Sequence, residues 1–227
     1  MDINNIIDFK ERVKNAAIEK ARIYKTELID KEYLIYSKHF TISREYLLAS
    51  TETNYLHLIG VNSSLSALTF FIKCYQGSLT ETDFDFCFKG RNEKEVKGSV
   101  RRKITALEEL DKLITEGSTV EESFIKNKVT CSIATANAKA TLGFSYGKKC
   151  RPKSLMKGNE LSPSAVKPDL ILSRKTGSDR FDKIVVGNMK ALKEYLDFSN
   201  KTAYPISELL SDELQRYEIS KASVFQY

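Results

Sequence analysis

The sequence predicts an α+β fold, with N-terminal helices packed on a roughly four-stranded antiparallel sheet and a helical extension at the C-terminus. Three observations carry this expectation. Up to Ile114 the apolar residues recur mainly at helical spacings of three or four. From Lys128 to Val186 the pattern changes to short β-branched and aromatic runs divided by turn residues. After Gly187 the helical spacing returns.

Asn5 to about Ile29 places Ile6, Phe9, Val13, Ala17, Ala21 and Tyr24 on one face, with Lys, Arg and Glu between, as an amphipathic helix requires. Tyr33–Tyr36 and Phe40–Tyr46 are β-branched or aromatic, and the polar break Ser37-Lys38-His39 makes them a hairpin or a bent strand. Ser50 to Asn54 is rich in residues that cap helices, and introduces a short helix from Tyr55 that Gly60 stops. Asn62-Ser63-Ser64 caps another, Leu65 to about Tyr75. Lys97 to Ile114 carries one stripe of Val100, Ile104, Leu107, Leu110, Leu113 and Ile114, and Gly117 ends it.

Val129–Ile133 and Ala140–Tyr146 flank Ala136-Asn137 as one hairpin. Leu170–Leu172 and Phe181–Val186 flank Lys175–Asp179 as a second, where Gly177 tolerates positive φ. Met189–Phe198 and Ile206–Tyr217 are helical stretches separated by Pro205. The expected organisation is an N-terminal helix (1–30), a central domain (31–187) and a C-terminal helical extension (188–227).

The 227 residues include 36 Lys+Arg against 30 Asp+Glu, a net charge of +6. That surplus is local: Ser123 to Asn159 contains no acid and eight bases, Lys126, Lys128, Lys139, Lys148, Lys149, Arg151, Lys153 and Lys157. An anionic partner is the reading, not general solubility. No apolar run approaches the roughly 18 residues needed to cross a bilayer, and the N-terminus has no signal-peptide pattern. Cys74, Cys87, Cys131 and Cys150 form no CxxC pair and only two histidines accompany them. Free, mostly buried thiols in a cytoplasmic protein are expected, with no metal and no cofactor. Phosphate-loop and dinucleotide-binding motifs are absent.

His57 is the first candidate for proton transfer, although its apolar neighbours also suit a core histidine. The second is Gly147-Lys-Lys-Cys-Arg-Pro-Lys-Ser154, four cations and a hydroxyl in eight residues. Phosphodiester cleavage without a metal needs an activated 2′-hydroxyl, a proton donor for the leaving oxygen and cations on the developing phosphorane. His57 with Lys153, Ser154 and Arg151 meets those needs if the fold gathers them. Lys148, Lys149 and Lys128 would add phosphate contacts, and Tyr146 or Tyr36 a stacking surface. The plainer alternative for this run is a solvated basic loop. Asp83, Asp85, Glu108 and Glu109 have no nearby histidine, so metal-dependent hydrolysis fits less well.

Asn54-Tyr-Leu-His57-Leu-Ile-Gly60-Val61 resembles the Asn-Phe-x-His-Leu-Thr-Gly signature of a phage-associated nuclease family named for barnase, EndoU, colicin and RelE toxins. The chain is similar to that family's fourth group. Phe40-Thr-Ile-Ser precedes the motif, and Phe70-Phe71-Ile-Lys-Cys74-Tyr-Gln-Gly77 follows it. Leu142-Gly-Phe-Ser then leads to Arg151-Pro-Lys-Ser-Leu155, and Leu170–Lys175 with Phe181–Ile184 matches the closing hairpin. The likeness spans about residues 20 to 187. One position departs: Ile59 stands where the family usually has threonine.

The resemblance implies a barnase–EndoU–colicin–RelE-type nuclease domain over 31–187, with His57 catalytic and Ser154 a site hydroxyl. It further implies a metal-independent endoribonuclease of phage or mobile-element origin, toxin-like, acting on tRNA or mRNA and leaving a 2′,3′-cyclic phosphate. His57 would then be base or acid, Lys153 and Arg151 would steady the phosphorane, and RNA would be the partner, with an antitoxin or host protein as a further one. Two alternatives stand beside this: a catalytically silent relative that binds RNA or a nucleotide, which Ile59 favours, and an inhibitor or anti-defence module docking an acidic protein on its basic face.

Overall fold

A computed structural model of the chain describes residues 8–198 and 204–224, so the expected contribution of Ile6 to the first helix lies outside the described residues. Helix α1, Phe9–Tyr24, buries Val13, Ala17, Ala21 and Tyr24 and runs on into a π-helical turn, Lys25–Ile29. Strands β1 (Lys31–Tyr36) and β2 (Glu45–Leu48) follow, then helix α2 (Thr53–Ile59), strand β3 (Asn62–Ser63), helix α3 (Ala67–Gln76), strand β4 (Phe84–Asp85) and helix α4 (Glu93–Leu107). A β-rich stretch holds β5 (Thr119–Glu122), β6 (Ile125–Lys126), β7 (Val129–Thr130), β8 (Ile133–Ala136), β9 (Ala140–Phe144), β10 (Pro152–Lys157), β11 (Leu170–Lys175) and β12 (Lys183–Val186). Helices α5 (Met189–Phe198) and α6 (Glu208–Val224) complete the order.

The architecture is α+β, as expected. Strands β3–β4 and β6–β7 pair separately, and the other eight of the twelve described strands make two four-stranded antiparallel sheets where the sequence pointed to one of about four. The first has the order β12-β11-β1-β2 and the second β10-β9-β8-β5. They are stitched at Leu48 and Cys150: the Cys150 N–H donates to the Leu47 carbonyl at 2.7 Å and the Ala49 N–H to the Cys150 carbonyl at 3.0 Å.

Alternation along β1 explains how the first sheet is covered on both faces. Tyr33 and Ile35 enter the main core with Val13, Ala17 and Tyr24 of α1. Leu34 and Tyr36 enter a second core with Leu192, Tyr195 and Leu210. The C-terminal helices therefore roof the far face of this sheet. Tyr36, weighed above as a stacking surface, is buried edge-on against Tyr195.

Several boundaries differ from expectation for local reasons. The strand expected over Phe40–Tyr46 begins only at Glu45, because the N–H groups of Thr41, Ile42 and Ser43 all turn onto the Glu122 carboxylate of β5. Helix α4 starts before Lys97, at Glu93, because the Asn92 side chain accepts the Lys94 N–H at 2.8 Å and caps it. The basic stretch leading to Ser154 is not all loop: Pro152 opens β10, an edge strand that tolerates a residue without a backbone donor at its start. Opposite it in β9, a Cβ on Gly143 would lie 2.5 Å from the Cys131 Sγ, so this strand position has room only for glycine.

Candidate active site

Helix α2 sorts its side chains by the helical period. Tyr55, Leu58 and Ile59, at i, i+3 and i+4, are fully buried, while His57 falls off that face and stays open to solvent, with part of its ring covered by the cleft walls. The apolar neighbours that suggested a core histidine thus belong to the opposite face. Gly60 ends the helix in the left-handed conformation, φ 79°, with its N–H on the Leu56 carbonyl at 2.9 Å.

Strand β10 supplies the facing wall, and both α2 and α4 pack against it. The register of β10 on β9 slips between Pro152 and Ser154, which leaves Lys153 as the extra residue of a β-bulge. Bulges re-aim side chains, and this one carries Lys153 to the Thr130 carbonyl at 2.7 Å. The result is a cleft of about 510 Å³ lined by His57, Lys153 and Ser154 together. Arg91, Ser99, Arg102 and Lys103 from α4 and the turn before it line it too, as do Asn127, Lys157 and Glu160.

The electrostatics follow from this company. Partial burial lowers the His57 pKa below its ordinary value, and the positive charges of Lys103 and Lys153 lower it further. A neutral imidazole, able to accept a proton, is the form favoured at neutral pH. Burial, then the Arg91 charge, pushes the Lys103 pKa down to about 8. The Lys103 Nζ donates to the His57 carbonyl at 2.6 Å, placing a cation at the C-terminal end of α2. That approach depends on Gly60, where an added Cβ would meet the Lys103 Cδ at 2.8 Å and Nζ at 2.9 Å. Five cations (Arg91, Arg102, Lys103, Lys153 and Lys157) share the cleft with one carboxylate, Glu160, and Lys126 pairs with that at 2.7 Å.

The other sequence candidates lie elsewhere. Tyr146 and Lys148 line a separate pocket of about 350 Å³ beside β2. Lys149 is ion-paired to the buried Glu32, which also accepts the Arg174 Nε at 2.9 Å. Arg151 lies beside β10, its charge felt by Tyr24, and does not line the cleft. Lys128 is exposed on the β6–β7 turn, next to the cleft residue Asn127. His39 is exposed. Asp83 holds the Thr80 turn and binds Lys73. Among the described residues no three His, Cys, Asp or Glu side chains gather closely enough to hold a metal ion.

Lys103, Arg91 and Arg102 were not candidates from sequence. Their signal is faint: Lys103 sits at the margin of the apolar stripe of α4, between Val100 and Ile104, where a solvated face would equally place a lysine.

The family model described as phage-Barnase-EndoU-ColicinE5/D-RelE like nuclease4 matches residues 18–200, a span that includes every wall of the cleft. No curated protein and no solved structure matches the chain.

Proposed function

The chain belongs to the phage Barnase–EndoU–colicin E5/D–RelE-like nuclease family, fourth group, and from that premise we propose that it is a metal-independent endoribonuclease. The observation that supports this most is the meeting of His57, Lys153 and Ser154 in one cationic cleft with Lys103. His57, neutral because its pKa is lowered, takes the proton of the 2′-hydroxyl. The 2′-oxygen attacks phosphorus and the bond to the 5′-oxygen breaks. Lys103, whose pKa of about 8 leaves it protonated but ready to give up that proton, donates it to the departing oxygen. Lys153 and Arg102 offset the phosphorane charge, and the Ser154 hydroxyl donates to a phosphate oxygen. The products are a 2′,3′-cyclic phosphate and a 5′-hydroxyl. A phage or toxin-like role, with tRNA or mRNA as target, extends the same reading.

The silent-relative reading loses its main support. Ile59 is fully buried in the main core and does not line the cleft, so the missing threonine hydroxyl removes no group from it.

Incubation of the purified protein with tRNA or mRNA in EDTA, with mass spectrometry of the new ends, tests the proposal. Cyclic phosphate ends are expected, and His57→Ala abolishes them while RNA binding survives. Absence of cleavage, with or without divalent metals, would falsify the enzyme reading.

A further inference from the structure

Beyond His57 the cleft continues into a second lobe of about 410 Å³, and the two share His57, Arg91, Ser99 and Lys103. Their chemistry differs. The first carries Lys153, Lys157 and Arg102. The second is walled by Leu56, Val61, Ala67 and Phe88, with Asn62 and Ser63 at its β3 side. A cationic half and an apolar half that meet at a histidine match the two halves of a nucleotide, anionic phosphate and planar heteroaromatic base. The volume lies in the range of small-ligand pockets, about 300–1,000 Å³.

We propose that the second lobe is a nucleobase pocket, holding the base next to the phosphate that sits at His57 and Lys103. This rests on the nuclease reading and specifies where that site holds a base. Phe88 is partly buried, with its ring open to the lobe, and the Arg91 guanidinium stands 5.7 Å from its centroid. A base entering there stacks on Phe88 with Arg91 spanning both lobes. Asn62 is the edge reader. Its amide nitrogen is fixed on the Asp85 carboxylate at 3.1 Å, and Asp85 is itself held by the Cys87 N–H at 2.7 Å. That orientation sets which end of the amide is the oxygen, and the oxygen accepts no hydrogen bond among the described residues. It is an acceptor for a base N–H, and since all four bases carry an amino or imino donor on the Watson–Crick edge, the placement of that donor and not its presence grades them.

The experiment uses 2′-O-methyl trinucleotides, which cannot cyclise, carrying each of the four bases or no base at the central position. Equilibrium affinities are measured for the full chain, and cleavage sites are mapped in parallel on RNA with free 2′-hydroxyls. At least one base is expected to bind roughly tenfold tighter than the abasic probe, as one stacked base contributes. Phe88→Ala and Ala67→Trp, which fills the lobe without removing a core contact, each bring that base down to the abasic level. Phe88→Trp keeps the gain. Equal binding of all five probes by the wild type overturns the proposal, as does a base-dependent gain that survives both Phe88→Ala and Ala67→Trp. The two readings separate cleanly. Cleavage without base-dependent binding removes the pocket and leaves the nuclease. Base-dependent binding without cleavage of any RNA removes the nuclease and leaves the pocket.

Discussion

Lys103 concentrates the residue-scale physics of the site. Burial, and after it the Arg91 charge, lowers its pKa to about 8, while the ammonium donates to the His57 carbonyl at 2.6 Å. His57 is shifted the same way by partial burial and by Lys103 and Lys153. With His57 as base and Lys103 as acid, kcat/KM rises with pH through a histidine pKa below its usual value of about 6.5. It falls again as Lys103 loses its proton near pH 8. Lys103→Arg keeps the charge and a donor for the His57 carbonyl, but a guanidinium does not release its proton in this range. The variant is expected to lose about 100-fold in kcat and to lose the falling limb, with RNA affinity retained. A falling limb near pH 8 that persists in Lys103→Arg assigns the acid to another group. His57 and the Lys153-Ser154 pair were legible in the sequence because a histidine motif and a cationic run stand out locally. Lys103 was not, because on a charged amphipathic helix only the packing of α4 on β10 distinguishes a cleft lysine from a solvated one.

At the scale of elements, the sequence revealed the helices and strands β1, β9, β11 and β12 but missed β5 and the six-residue β10. Thr119–Glu122 has one apolar residue, Val120, and its acids look like surface, yet Glu122 is a structural clamp. Its carboxylate accepts the Thr41 N–H at 2.6 Å, the Ser43 N–H at 2.9 Å and the Tyr46 hydroxyl at 2.7 Å. This ties the loop between β1 and β2 to the second sheet, a contact that no local pattern announces. Burial acts to raise the Glu122 pKa, and these hydrogen bonds more than offset it, leaving the net shift downward. A carboxyl whose folded pKa lies below its unfolded value of about 4.3 stabilises the fold above that pH. The stabilisation is lost as pH falls through the folded pKa. Glu122→Gln should therefore have a lower Tm than wild type at pH 7, and the gap should close below about pH 4. A Tm gap that stays constant from pH 7 to pH 3 would show that the clamp does not act through the ionised carboxylate.

Over the whole molecule, the acid-free window means something different once folded. Of its eight bases, three pair with acids outside the window, Lys126 with Glu160, Lys149 with Glu32 and Lys139 with Glu109, which thins what looks like a patch. The cleft recovers its charge from outside the window, from Arg91, Arg102 and Lys103, which join Lys153 and Lys157. RNA affinity should report this rearranged set. Each phosphate neutralised on a single strand contributes about −0.7 to the slope of log K against log salt, so five cleft cations predict about −3.5. Arg102→Ala and Lys157→Ala should each flatten that slope by about 0.7. Lys139→Ala and Lys149→Ala should leave it unchanged, and Lys149→Ala should instead lower Tm modestly by leaving Glu32 with Arg174 alone. The measurement is the affinity of a 2′-O-methyl RNA strand from roughly 50 to 200 mM salt, set against a thermal melt of each variant. If Lys139→Ala and Lys149→Ala flatten the slope as much as Arg102→Ala does, the RNA follows the linear run of bases instead of the cleft that the fold assembles.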